Sequence, residues 1–200
     1  MKLFSKIMGQ GQPFLIMHGL FGMSDNWQSL GKKFADFYEV HLIDQRNHGR
    51  SPHSTVFNYK VLSEDLVKYI KDHKLKNVLL MGHSLGGKTA MELAVQHPDL
   101  VQKLIVVDIS PKAYPVHHDK IIEGLKSLDF NELKSRGESD RKLAEHIVDA
   151  SVRQFLLKSL YWEEKERLAF RFNLESIAEQ IEEVGKALAD KLEYKGHCLF

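Results

Sequence analysis

Cysteine and long apolar runs are almost absent from this chain. Cys198 is the only cysteine among 200 residues, which excludes an internal disulfide and is compatible with a reducing compartment. The N-terminal segment has no apolar run longer than Phe14 to Met17, far short of a signal-peptide core or a membrane span. These absences predict a cytoplasmic protein without membrane insertion. Cys198 itself is interpreted as a small apolar strand residue.

An excess of charge is lacking as well. Lys and Arg total 28 against 27 Asp and Glu, a formal net charge of +1. Without a global field the chain has no general attraction for nucleic acid, and no nucleic-acid partner is expected. His117, His118 and Asp119 could be drawn as a metal site, but adjacent side chains at a helix start diverge, so a solvated pair is the better interpretation. No metal or cofactor is expected.

Short apolar runs alternate with segments of helical period in the first half of the chain. The runs are PFLIMHG (13–19), YEVHLID (38–44), NVLLMGH (77–83) and KLIVVDIS (103–110). Such alternation predicts an α/β fold with a mostly parallel, twisted sheet covered on both faces. KLFSKIM (2–8) is expected to add an antiparallel edge strand. In open sheets of this kind, ligands bind at the carboxyl ends of the strands.

After Asp108 the pattern changes to successive helical segments. They are HDKIIEGLKSL, ESDRKLAEHIVDA, SVRQFLLKSLYW and a long last helix NLESIAEQIEEVGKALADKL, with Asn173 as its N-cap. No strand of comparable strength interrupts them. The predicted organisation is therefore a core over 1–110, an inserted helical cap over 111–192, and the start of a returning core strand over 193–200.

The segment GHSLGGKT (82–89) fits two unrelated motifs. It matches the phosphate-binding G-x-x-x-x-G-K-[ST] loop and the G-x-S-x-G nucleophile elbow, and both motifs lie between a strand and a helix. For a P-loop-like nucleotide-binding protein, Asp108 could hold magnesium. Three observations argue against the phosphate-binding loop. Two strands with their own strand-end motifs precede the segment, the residues inside it are bulky for a loop that binds phosphate through its backbone, and no motif for base recognition follows. The nucleophile elbow is therefore favoured.

A serine nucleophile needs a base and an oxyanion hole. The elbow would expose Ser84, and the N–H group of Leu85 at the start of the next helix would be one oxyanion donor. The second donor is expected from the loop HGLFG (18–22), from Leu20 or, less favourably, Phe21. The alternative for Ser84 is a loop serine that only caps the helix.

Four motifs in order carry a family resemblance: HGLFGMSDNW, DQRNHGRSP, GHSLGGK and VVDISP. They resemble the α/β-hydrolase superfamily, specifically its small bacterial esterase branch related to the YbfF-type esterases. The resemblance implies hydrolysis of a small-molecule acyl ester or thioester by Ser84, with oxyanion donors at Leu20 and Leu85. It also implies Asp108 as the triad acid, although a strand-end aspartate can equally anchor the cap by accepting backbone N–H bonds.

Other polar residues near these motifs are interpreted as structural. His18 and His83 are possible bases, but side chains at such positions more often pack and hydrogen-bond inside the loop. Asp44, Arg46 and His48 are expected to connect their loop to its neighbours. The aromatic and leucine side chains of the cap are expected to pack, and some to wall an acyl pocket; they are Phe155, Leu156, Leu160, Trp162, Phe170 and Phe172.

The histidine that the resemblance requires after the last strand is not found in these 200 residues. His197 precedes the predicted last strand and would lie at the wrong end to meet Ser84. The expectation is a truncated chain, or a base supplied by another chain, with weak or no activity and an open sheet edge that invites association. A non-catalytic ligand-binding module on the same scaffold is a further alternative.

Overall fold

The computed structural model of the chain describes residues 1–165, 167–188 and 193–200. Six strands form the main sheet in the order β1-β3-β2-β4-β5-β8. They are β1 (Ser5–Met8), β2 (Pro13–Met17), β3 (Glu39–Ile43), β4 (Val78–His83), β5 (Val101–Val107) and β8 (His197–Leu199). All neighbours pair in parallel except β1, which is antiparallel to β3. The predicted parallel sheet and its antiparallel edge strand are confirmed.

Three helices flank this sheet: α1 (Gln28–Phe34), α2 (Tyr59–Asp72) and α3 (Leu85–Gln96). Strand β2 shows why both faces must be covered. Leu15 and Met17 belong to the apolar cluster that includes α2 and α3, whereas Phe14 and Ile16 belong to the cluster on the opposite face. All four side chains are at most 3% exposed, and each such burial stabilises the fold by about 1.5–3 kcal/mol.

Between β5 and β8, the residues that the structure describes form five helices and two strands. They are α4 (Asp119–Lys126), α5 (Arg136–Leu143), α6 (Ala150–Leu157), β6 (Leu160–Glu164), β7 (Arg167–Phe170), α7 (Leu174–Glu179) and α8 (Ile181–Gly185). One apolar cluster joins this cap to the core, because Leu20, Phe21 and Leu85 share it with Leu125 and Leu156 of the cap. The cap is therefore packed directly over the loops at the strand ends. The boundary at residues 110 and 111 stays a prediction.

The expectation of helices without a strand from Pro111 to about Leu192 is wrong at residues 160–170. Strands β6 and β7 form an antiparallel hairpin in which Leu160 pairs with Phe170. Helix α6 ends at Leu157, and the chain then becomes extended, with Leu160 buried and Trp162 56% exposed. The pairing across the hairpin, rather than an alternation of buried and exposed side chains, defines these two strands.

The long last helix is also not continuous. Asn173 caps α7, its side chain accepting the Ser176 N–H at 3.2 Å, as predicted. The helix breaks at Gln180, whose side-chain carbonyl accepts the Phe57 N–H at 2.9 Å and ties this point to the core. The part of the predicted helix at 189–192 lies outside the described residues.

The predicted returning strand is present as β8, which pairs with β5 at Lys103 to Ile105. Cys198 lies within it and is exposed. Among the described residues, no helix combines the length and the apolar composition that crossing a membrane requires.

Candidate active site

Ser84 occupies the sharp turn between β4 and α3, with φ 51° and ψ −116°. This left-handed conformation is unfavourable for a residue with a side chain and costs about 1–3 kcal/mol. Glycines make the turn possible. A Cβ on Gly82 would lie 2.1 Å from the Gly86 carbonyl oxygen, and one on Gly86 would lie 2.6 Å from that of His18. The strand and helix approach each other more closely than any larger residue allows, which is the geometry of a nucleophile elbow.

Lys88 does not have the position that a phosphate-binding lysine needs. Its side chain is completely buried, and its Nζ donates to the Lys186 carbonyl oxygen at 2.5 Å. The ammonium also lies 5.5 Å from the centre of the Tyr59 ring and 5.2 Å from that of Tyr114. Because the cation is engaged with the cap, the nucleotide-binding alternative loses its main support.

The loop of residues 18–22 lies against Ser84. A Cβ on Gly19 would be 3.4 Å from the Ser84 Cβ. Phe21 has φ 60°, and its N–H donates to His48 Nε2 at 3.1 Å. Because the Phe21 N–H already has this acceptor, it is not available to an oxyanion. The N–H of Leu20 remains the candidate for the second oxyanion donor. Leu85 is the first residue of α3, where backbone N–H groups point away from the helix and carry partial positive charge.

Two neutral imidazoles hold this loop. His18 Nδ1 donates to the Gly19 carbonyl at 2.8 Å and its Nε2 accepts the Gln45 N–H at 3.1 Å. His48 repeats the arrangement, with Nδ1 donating to the Arg46 carbonyl at 2.9 Å. Burial lowers the pKa of His18 to about 4 and that of His48 to about 3. Both nitrogens of His18 are therefore committed, as predicted for a loop residue rather than a base.

The loop after β3 is connected to its neighbours in the way the sequence predicts. Asp44 accepts the Ser24 N–H at 2.5 Å and the Arg50 N–H at 2.9 Å. Arg46 Nε donates to the Asp65 carboxylate at 2.6 Å. Since these charged groups are buried and paired, their roles are structural.

Asp108 follows the end of β5 with φ 54°. Its Oδ2 lies 3.8 Å from His83 Nε2, and its side chain is 87% exposed. The structure thus brings Asp108 beside the residue that precedes Ser84, at the same edge of the sheet. His197 is at the other end of β5, paired with Lys103, whereas His83 pairs with Val107. The prediction that His197 cannot meet Ser84 is confirmed.

A cavity of about 530 Å³ opens over Ser84 between the core loops and the cap. Its core side includes Leu20, Phe21, Trp27 and His83, and its cap side consists of His118, Ile121, Val152, Phe155 and Leu156. Of the cap side chains expected as possible pocket walls, Phe155 and Leu156 line the cavity. Leu160 and Phe172 are buried in the apolar cluster that joins cap and core, and Trp162 is exposed.

The interpretation of His117 to Asp119 as a solvated group at a helix start misses His118 as a site residue. His117 is exposed, but His118 is half-buried against the cavity, and burial lowers its pKa. The signal was present in the sequence: His118, Ile121 and Leu125 recur at the spacing of one helix face. Within 1–165, 167–188 and 193–200, no three His, Cys, Asp or Glu side chains gather as metal ligands do.

Comparison with known proteins agrees with this geometry. Residues 12–144 match the family model described as alpha/beta hydrolase fold. The chain is 36% identical over 200 residues to the sn-1-specific diacylglycerol lipase ABHD11 of Danio rerio, covering 96% of this chain and 63% of that protein. It is 34% identical over 148 residues to the esterase YbfF of Escherichia coli, covering 74% of this chain and 58% of that one. The chain thus spans about 60% of the length of these relatives.

A solved structure titled "Marine microorganism esterase" superposes with a TM-score of 0.95 at 39% identity, covering all of this chain and 79% of that one. The elbow at Ser84, the sheet order and the family match over residues 12–144 point to one conclusion. The resemblance to esterases of the YbfF type is confirmed, and the chain belongs to the α/β-hydrolase family.

Proposed function

We propose that the chain is a serine hydrolase that cleaves small acyl esters or thioesters through an acyl-enzyme on Ser84. One observation carries the proposal: a serine on a strained elbow faces a cavity of about 530 Å³. A cavity of that size suits a small molecule. The apolar side chains of Val152, Phe155 and Leu156 provide a wall for an acyl chain. A cytoplasmic location is part of the proposal.

In the proposed reaction the Ser84 Oγ attacks the ester carbonyl carbon while a base takes the hydroxyl proton. The N–H groups of Leu20 and Leu85 stabilise the oxyanion that forms. The intermediate collapses as the base returns the proton to the leaving alcohol or thiol. Water then repeats the sequence on the acyl-enzyme, releasing the acid and restoring the hydroxyl. Asp108 is assigned the orienting carboxylate.

The base is proposed to be a histidine outside these 200 residues. Three imidazoles line the described cavity with Ser84: His18, His83 and His118. His18 has both nitrogens engaged, and the Nε2 of His83 faces Asp108. Without a base, the oxyanion hole and substrate binding should accelerate hydrolysis by at most about 10³-fold over the reaction in water. Serine proteases from which triad residues have been removed keep a residual rate of this order.

The test compares residues 1–200 with a version extended by the C-terminal segment of a homologous esterase. We expect the extended protein to hydrolyse short-chain esters and to react with a fluorophosphonate at Ser84. The 200-residue chain should do both far more slowly, and Ser84→Ala should abolish both in either protein. The ester panel includes acylglycerols, because the zebrafish relative is named a diacylglycerol lipase.

Each alternative has its own outcome in this test. Equal turnover by the two proteins would place the base within the chain, with His83 and His118, which line the cavity with Ser84, the first to mutate. Ester binding without turnover in the extended protein would indicate a ligand-binding module. Thermal stabilisation by ATP and Mg²⁺, without fluorophosphonate labelling, would favour nucleotide binding.

A further inference from the structure

Among the described residues, the cap side of the cavity has one polar side chain, that of His118. His118 lies just before α4, whose next inward-facing residue is Ile121, and the rest of that wall is Val152, Phe155 and Leu156. A histidine among such neighbours is costly to place, since burying an imidazole without a partner forfeits its hydrogen bonds to water. A histidine at this point of the cavity that contains Ser84 is therefore expected to interact with a bound ligand.

The His118 Nδ1 has no hydrogen-bond partner in the described part of the chain and is closed to solvent in this conformation, so a hydroxyl in the cavity reaches it only after the ring turns about its side-chain bonds. A buried polar atom left in this state is unfavourable, because it has lost its hydrogen bonds to water without gaining a partner. Burial also lowers the pKa of His118, so the ring is neutral near pH 7 and can offer either a donor or an acceptor at Nδ1. A hydroxyl can match either state, because it both donates and accepts.

We infer that His118 is a specificity-determining residue that hydrogen-bonds a hydroxyl group carried by the substrate away from the scissile ester bond. The inference rests on the proposed function of the same cavity. It predicts that a hydroxylated ester is preferred over an apolar ester of the same size. The neighbouring Ile121 and Val152 make the preference steeper, because they offer no other partner to a hydroxyl.

The experiment measures binding in a Ser84→Ala background, so that no ligand is consumed. Three matched pairs of esters differ only by replacement of a terminal methyl by a hydroxyl. They are propyl butyrate against 2-hydroxyethyl butyrate, pentyl butyrate against 4-hydroxybutyl butyrate, and propyl butyrate against propyl 3-hydroxypropanoate. Dissociation constants come from NMR titrations of the 200-residue chain.

We expect at least one hydroxylated ester to bind about three- to tenfold more tightly than its partner, which is the net value of one hydrogen bond. His118→Leu should remove the preference, and His118→Gln, which keeps a donor and an acceptor, should retain part of it. The same hydroxylated ester should shift the His118 ring ¹⁵N resonances in the protein that keeps this histidine, whereas its apolar partner should not. This last readout does not depend on the folding of a variant.

Two negative results have different meanings. If hydroxylated and apolar esters bind equally, or if His118→Leu leaves the preference unchanged, the role of His118 is wrong while the cavity remains an ester site. If no ester binds in any variant, the proposed function of the cavity fails, and the inference fails with it. Fluorophosphonate labelling of the extended protein separates these cases, because it reports on Ser84 without involving His118.

Discussion

His48 determines the conformation of the loop that contains Leu20. Its Nε2 accepts the buried Phe21 N–H at 3.1 Å. In His48→Leu this N–H loses its acceptor, and we expect the free energy of unfolding to fall by about 1–3 kcal/mol. His48→Gln places an acceptor near the same point and should recover a substantial part of the loss. Urea denaturation measures both variants, and equal stability of the two would show that packing rather than the hydrogen bond matters here.

Single residues of the site differ in how far the sequence specifies them. Ser84 and Leu85 could be located from the motif alone, because only small residues at 82 and 86 permit the turn that places them. Phe21 could be ranked below Leu20, but the reason became visible only when the structure placed His48 beside its N–H. His118 shares a helix face with Ile121 and Leu125 in the sequence, but that spacing does not place it at the cavity, whose wall is completed by Val152 and Phe155 more than 30 residues away.

Helix α8 is attached to the core by the buried cation of Lys88. Its Nζ donates to the Lys186 carbonyl, while Tyr59 donates to that of Val184 at 2.8 Å and the Tyr114 N–H to that of Gly185 at 2.8 Å. Lys88→Met keeps the apolar stem and removes the charge. A hydrogen bond from a charged donor contributes about 1.5–3 kcal/mol, so hydrogen exchange at the Tyr114 amide should accelerate about tenfold or more.

Lys68→Met is the matched control for this element, because Lys68 forms an exposed pair with Asp72 on α2. Such pairs contribute little, and exchange at Tyr114 should not change. Unaltered exchange in Lys88→Met would mean that the tyrosines hold α8 without the cation.

Elements with a regular pattern were predicted well, and those set by tertiary contacts were not. The strands of the sheet and helices α2 and α3 have apolar spacings that allow one interpretation. The sequence of residues 160–170 is compatible with either a helix or a strand. The pairing of Leu160 with Phe170 in the folded chain determines that strands form there. The break at Gln180 has no local cause, because its partner Phe57 lies in a distant loop. Pairing and side-chain capping across the fold overrode local propensity in both places.

The stability of the whole molecule should fall in acid. Burial lowers the pKa values of His18, to about 4, and His48, to about 3, and also lowers that of His41. A group whose pKa is lower in the folded state contributes stability that is present above its unfolded value near 6.5 and is lost as the pH falls toward the folded value. The free energy of unfolding should therefore decrease below pH 6.5, by up to about 1.4 kcal/mol per pH unit for each histidine.

Urea denaturation between pH 8 and pH 4.5 measures this dependence. His48→Gln removes one of the titrating groups and should flatten the curve. A slope that is the same in His48→Gln would assign the acid sensitivity to other groups.

The outer edge of β8 should promote self-association of the 200-residue chain. Leu199 is 63% exposed and Phe200 71% exposed, beside an edge strand with exposed residues. Unpaired edge groups next to apolar side chains favour pairing with another molecule. Sedimentation should show a concentration-dependent increase in mass that Leu199→Lys reduces. Val148→Lys, at a side chain that is 93% exposed elsewhere, should have no effect, and a strict monomer at high concentration would contradict the prediction.

Under the proposed function, the neutral His18 imidazole beside Ser84 has a consequence for how the product leaves. The side chains that line the described cavity include no lysine or arginine, and His18 carries no charge at neutral pH. A carboxylate released by hydrolysis would meet N–H dipoles but no fixed cation, so its charge adds little to its affinity. Product inhibition should then follow acyl chain length, and a primary alcohol of the same length should inhibit about as well as the acid.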